Sequence, residues 1–166
     1  MIEVVVVILV LVVCFALVCF MGSPYVPTKK EWAKEALNIT NLNEKDLVID
    51  LGAGDGKILR YLAEKNIKSI GYEINPILVL LAKLSLFGSN YSKVEMKNYW
   101  TIDLPKETTV VYAFMVERDA LKLEKYLAKQ LEKVDTDRLE LITFGFDLPS
   151  KKPSKESKIS RLYIFE

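Results

Sequence analysis

Three glycines in five positions, Gly52-Ala53-Gly54-Asp55-Gly56, directly follow the apolar run Leu47-Val48-Ile49-Asp50-Leu51 and precede a helix-forming stretch. The run is short and rich in large aliphatics, as in a strand buried on both faces. Glycine at alternate positions allows a turn too tight for side chains, and it lets a ligand approach the backbone closely. The N-terminus of the helix behind such a turn offers free N–H groups. A strand, a glycine turn and a helix in this order set the chain on an alternating α/β plan.

The remainder keeps to that plan. Helical spacing covers Ile58 to Glu64, and Lys68 to Glu73 reads as a second strand. Pro76 opens a helix through Phe87 that Gly88 ends, Tyr91 to Met96 is a weaker strand, and Thr108 to Val116 is a strong one. Asp119 to Lys133 is amphipathic, and Arg138 to Phe146 and Ile159 to Phe165 close the chain as strands. Upstream, Thr28 with Glu31 matches a capping box, and Trp32, Ala33, Ala36 and Leu37 follow at helical spacing. The expectation is a doubly wound, mostly parallel sheet over residues 47–166. The last two strands have no helix between them, so one should be antiparallel. The chain is short enough that a final helix is expected to be missing, and the sequence leaves open whether the closing strands complete a seven-stranded sheet. Lys151, Lys152, Lys155 and Lys158 read as a solvated loop.

Residues 1–21 stand apart. From Val4 to Met21 every side chain is apolar, and no charge appears between Glu3 and Lys29. Eighteen residues at about 1.5 Å rise give roughly 27 Å of helix, near the thickness of a bilayer's hydrocarbon core. A cleaved signal peptide would want a basic leader and a small-residue exit; the chain offers Glu3 before the run and Cys19-Phe20-Met21-Gly22-Ser23 after it. A permanent single-pass anchor through residues 4–21 is the favoured reading. Lys29, Lys30 and Lys34 follow the span and no basic residue precedes it, so the domain is expected on the cytoplasmic side. Residues 22–46, with Pro24-Tyr25-Val26-Pro27-Thr28, then form a stiff linker and a helix ahead of the domain.

Two absences narrow the chemistry. The chain has no histidine, so a Ser-His-Asp triad, a histidine base or a histidine metal ligand is excluded. Its two cysteines, Cys14 and Cys19, both lie in the apolar run, which leaves no basis for a zinc or thiol site, and no metal is expected. With 23 basic and 22 acidic residues there is no charge surplus to argue for nucleic acid.

Four details sharpen the glycine turn. A dinucleotide fingerprint would need glycine where Lys57 stands, and no G-K-[ST] follows to make a P-loop. Asp55 puts a carboxylate inside the loop, where it would repel a pyrophosphate but suit an ammonium group. Asp50, two residues before the first glycine, can reach the same ammonium. Glu73 ends the second strand at the offset where an acid meets ribose hydroxyls. Together, V-I-D-L-G-A-G-D-G and G-Y-E resemble the first two motifs of the seven-strand S-adenosylmethionine-dependent methyltransferases. The resemblance implies a Rossmann-like sheet and S-adenosylmethionine as cofactor, held by Asp50, Gly52, Ala53, Gly54, Asp55, Gly56, Glu73 and Asn98.

An apolar helix, then P-Y-V-P-T, a short helix and D-L-G-A-G-D-G is more narrowly similar to the membrane-anchored protein-lysine methyltransferases, whose animal members modify the adenine nucleotide translocase and the ATP synthase c-subunit. That resemblance also covers Asn98-Tyr99-Trp100, and it implies a membrane-associated protein as substrate. The missing N/D-P-P-[YF], replaced by Ala113-Phe114-Met115-Val116-Glu117, argues against base methylation. A lysine nucleophile must lose a proton held at about 10.4 before it attacks. Tyr25, Tyr99 and Glu117 are the candidates for positioning the amine, with Phe114 and Trp100 as walls or cation-π partners. A small-molecule or lipid methyltransferase, and a membrane adaptor that binds the cofactor without catalysis, are the competing functions.

Overall fold

Leu47–Leu51 forms β1, an interior strand of a seven-stranded sheet, with four of its five residues buried. The computed structural model describes residues 2–21 and 30–166, with the side chains of 2–10, 12 and 31–166. Around β1 stand β2 (Lys68–Glu73), β3 (Ser92–Met96), β4 (Val110–Ala113), β5 (Leu139–Phe144), β6 (Lys155–Glu156) and β7 (Ser160–Phe165), in the order β3-β2-β1-β4-β5-β7-β6. The first five strands are parallel, and β7 runs antiparallel to both β5 and β6. The sheet therefore reaches seven strands, the point the sequence left open, and β6 is the strand it did not mark. Two residues have no periodicity to reveal them, and the strand exists only through its pairing with β7. Lys155 accordingly lies in a strand and not in a solvated loop, and the Lys151 ammonium sits 4.7 Å from the Phe165 ring centre. The helix usual after a fifth strand is replaced by residues 145–154.

Helices lie on both faces. On one, α2 (Lys30–Leu37) and α3 (Lys57–Ala63) bury Ala33, Ala36, Leu37, Ile58 and Leu62 against Val48, Val110, Ile142 and Leu162. The helix expected before the domain is thus part of its core. Alongside α3, α4 (Pro76–Ser85) packs Val79 and Ala82 against Leu59 and Val94. It starts where Asn75 Oδ1 accepts the Ile77 N–H (2.9 Å), and it ends two residues short of Phe87, where Gly88 takes φ +78°. On the other face α5 (Ala120–Leu131) covers Ile49, Val111, Leu141 and Phe165 with Leu123 and Leu127. β4 is shorter at each end than the apolar run Thr108–Val116. Its first residues turn, with the Thr108 N–H donating to Pro105 O, and after Ala113 the chain leaves the sheet.

The apolar N-terminal run is helical as α1 (Ile2–Met21), with Glu3 its single charged residue. The side chains described within it span about half that length, and among the described residues no helix is long and apolar enough to cross a membrane. Pro24 to Thr28, with Tyr25 and the capping box at Thr28, and Lys29 lie outside the described residues.

Candidate active site

The C-terminal ends of the parallel strands gather the site, as the resemblance and the topology both lead one to expect. After β1 the chain turns sharply. The Gly52 and Ala53 N–H groups both donate to Tyr72 O (2.9 and 3.0 Å), and Gly56 N–H closes the turn onto Ala53 O (2.9 Å). Gly52, Gly54 and Gly56 all have positive φ, at +89°, +56° and +80°. At Gly52 a side chain would meet nothing within 4 Å, so the backbone there is open to an approaching ligand. At Gly56 the reason is different: a Cβ would lie 3.0 Å from Ala82 Cβ, so glycine lets α4 close on the loop.

Glu73 at the end of β2 holds this loop in place. Its Oε2 accepts the Gly54 N–H (2.9 Å), and its Oε1 accepts the N–H groups of Ile74 and Asn75 (both 2.8 Å). Sequence reasoning offered Glu73 to a ribose, and the structure adds that it latches the loop as well. A carboxylate has about four lone-pair sites, so three N–H partners leave Oε2 able to accept one hydroxyl.

Asp50 is only 2% exposed, and its Oδ2 has no hydrogen-bond partner. Burial, then the charges of Glu73 and Asp55, push its carboxyl up to about 8. An orphaned buried carboxylate oxygen is a costly arrangement that a cationic group would relieve. Asp55 is the less available acid, since its Oδ2 pairs with Lys57 Nζ at 3.0 Å.

Asn98 caps a 3-10 turn (Tyr99–Thr101) after β3, its Oδ1 accepting the Trp100 N–H (3.1 Å). Tyr99 packs at a tilt against Trp100 with 4.7 Å between ring centres, and burial, then Asp119 and Glu73, raise its phenol to about 12. Its hydroxyl therefore stays neutral at physiological pH. The Lys122 ammonium lies over the Trp100 ring at 4.1 Å, which makes Trp100 a cation-π partner of the protein itself. Glu117 opens an exposed 3-10 turn beyond β4. Phe114 packs edge-on to Phe144 (4.9 Å), and Trp32 of α2 reaches the same Phe144 ring (5.9 Å).

Two contributors escaped sequence reasoning. Gly71 has no room for a side chain: a Cβ would fall 2.5 Å from Ala53 Cβ and 2.6 Å from Leu59 Cδ1. A glycine inside an apolar strand was the signal for this close approach. Tyr112 stands in register beside Asp50 with its buried hydroxyl unpartnered, and nothing in the sequence marks it.

A sheet of this order, with a glycine loop after β1 and an acid at the end of β2, defines a Rossmann-like methyltransferase fold. The fold matches an RNA methyltransferase from Salinibacter ruber solved in complex with S-adenosyl-L-homocysteine, with TM-score 0.73 at 24% identity over 84% of this chain and 92% of that one. The sequence model described as ANTKMT methyltransferase domain matches residues 50–155, and the chain belongs to this family of methyltransferases. A protein-lysine N-methyltransferase of Saccharolobus islandicus is 29% identical over 82% of this chain and 84% of its own length. The ATP synthase c-subunit lysine N-methyltransferases of Xenopus laevis and Homo sapiens are 27% and 29% identical over 78% of this chain. The chain spans 56% and 54% of those two proteins.

Proposed function

We propose that this protein moves a methyl group from S-adenosylmethionine to the side-chain amine of a lysine in a membrane-associated protein. The observation that carries the cofactor is the orphaned oxygen of buried Asp50 beside the open backbone at Gly52. Asp50 would hold the ammonium of the cofactor, Glu73 one ribose hydroxyl, and the loop from Gly52 to Gly56 would lie against the ligand. When bound, S-adenosylmethionine would supply a methyl carbon on a sulfonium, which a neutral amine would attack in line, the C–N bond forming as the C–S bond breaks and S-adenosylhomocysteine leaves as a neutral thioether. The chain's own residues need only align the amine and exclude water. Tyr99, neutral at working pH, acts as a hydrogen-bond partner that points the amine's lone pair and cannot serve as a base. Glu117 offers an exposed carboxylate to draw in the acceptor's ammonium. Tyr25 completes the set if the segment from Pro24 to Thr28 closes over the crevice, and Tyr25→Phe should then slow turnover at unchanged cofactor affinity.

The lysine acceptor is supported by the names of the relatives, several of which are protein-lysine methyltransferases. The membrane location is supported by the unbroken apolar run from Val4 to Met21 in α1, and the cytoplasmic side by Lys29, Lys30 and Lys34 after it. Radiolabelled cofactor incubated with membranes, followed by separation of protein from lipid, tests the acceptor. Label on protein lysine that vanishes with Asp50→Ala is the expected result. Label in lipid would replace the lysine reading, and cofactor binding with no transfer would leave an adaptor. A C-terminal reporter active only outside the cytoplasm would overturn the orientation.

A further inference from the structure

α4 turns an apolar face outward. Ile77, Leu80, Leu81, Leu84 and the following Phe87 recur at helical spacing, and all five are exposed, Leu84 by 64% and Phe87 by 93%. Lys83 is the single charge in the helix. Beyond either end of α4 the apolar surface continues. Ile74, just after β2, and Met96, the last residue of β3, are both exposed at the strand ends that carry the glycine loop, and Tyr91 is exposed past Phe87. Scattered exposed aliphatics need no explanation, but a contiguous stripe along a whole helix marks a surface that meets something apolar.

We infer that this face of α4 lies in the membrane interface, with Leu80, Leu84 and Phe87 seated among the outer acyl chains. The inference rests on the reading of α1 as the anchor and adds to it a second, laterally placed contact. Three observations favour a bilayer over another occupant. α4, α3 and α2 form one layer on one face of the sheet: α2 packs on α3, Leu59 of α3 clusters with Val79 and Ala82 of α4, and Ser85 Oγ of α4 donates to Asp55 O in the loop before α3 (3.3 Å). Packed helices lie about 8–10 Å apart, so α2 and α4 are roughly 20 Å apart. Residues 22–29, which join α1 to α2, can span at most about 28 Å, so a bilayer holding α1 is within reach of α4. Next, the one charged side chain on α4 is basic, the exposed Lys83. A basic side chain beside an apolar helix face is attracted to anionic headgroups. Lastly, the stripe ends at Ile74 and Met96, on the rim of the site. Seating it in the interface holds the crevice at the bilayer surface, where the acceptor lysine of a membrane protein would lie.

The full-length chain, in vesicles of equal parts phosphatidylcholine and phosphatidylglycerol, tests this with one tryptophan added at a time. Phe87→Trp and Leu84→Trp, read as differences from the unsubstituted chain, should shift emission to the blue. They should also lose most of the added signal to brominated acyl chains and resist iodide. Leu121→Trp, exposed on α5 across the sheet, should stay open to iodide. Flotation of the same samples reports the anchor separately. A chain that does not float with the vesicles removes the anchor and this contact together. A chain that floats while the tryptophans at positions 84 and 87 remain open to iodide removes this contact alone. Shielding without bromine quenching, accompanied by a dimer that Leu84→Ser with Phe87→Ser splits, would assign the face to a second copy and overturn the inference.

Discussion

With its carboxyl raised from 3.8 to about 8, Asp50 holds a proton in the folded domain that the unfolded chain releases near pH 4. Stability from this group is complete below about pH 4 and is lost progressively as pH rises to about 8, at no more than about 1.4 kcal/mol per unit. Asp50→Asn carries no ionisable proton. Without cofactor it should melt higher than the natural protein at pH 8, with the advantage fading toward pH 4, as thermal denaturation across pH would show. Binding should move the other way. A cationic ligand favours the ionised carboxylate, so affinity for S-adenosylmethionine rises with pH up to about 8 and binding releases a proton below it. Loss of the charge at Asp50→Asn should weaken binding by roughly 10- to 100-fold in calorimetry, the worth of one charged hydrogen bond. Tyr99 gives a prediction of a different shape. Because its phenol stays protonated to about 12, the rate with a lysine acceptor should keep climbing through pH 9 with no falling limb. Tyr99→Phe should lower that curve without moving it.

Gly71 acts on a whole element. It lets β2 take Ala53 and Leu59 into contact, so Gly71→Ala forces the loop and α3 off the strand. Overpacking of this kind typically destabilises by about 1–3 kcal/mol, and here it should also weaken cofactor binding, measurable as a lower melting midpoint and a higher Kd. Elements with a strong local signal were readable from sequence: β1 and β2 begin and end at the residues the sequence pattern indicates. β4 was not, because the β-branched and apolar run extends past both of its ends: Thr108 is held in a turn onto Pro105, Thr109 bonds to Leu47 and Glu140 just outside the assigned strand, and after Ala113 the chain leaves the sheet. β6 exists only through tertiary pairing. At the site, the residue types were legible and their partners were not. Asp55 looked free until Lys57 was seen beside it, and Glu73 looked free until Gly54 was. Short-range patterns name a carboxylate, but only the folded chain shows which N–H or ammonium has already taken it.

On the scale of the molecule the residues divide by origin. Asp50, Gly52 to Gly56, Glu73 and Asn98 come from one continuous stretch that builds β1, β2 and β3, one edge of the sheet. Phe114 and Glu117 follow β4, Phe144 ends β5, and Trp32 comes from α2, so the aromatic cluster of Trp32, Phe114 and Phe144, which on the proposed function would face the acceptor, is assembled from distant segments. Trp32→Ala should accordingly leave the Kd for the cofactor near its original value and lower turnover on a protein acceptor, a split that parallel calorimetry and methyl-transfer assays would resolve. This division has a consequence for descent. Mutations on β4, β5 and α2 can redraw what is methylated while the inherited block from β1 to β3 goes on supplying the methyl donor unchanged. Lineages that share this sheet can therefore diverge in target without passing through a form that has lost its chemistry.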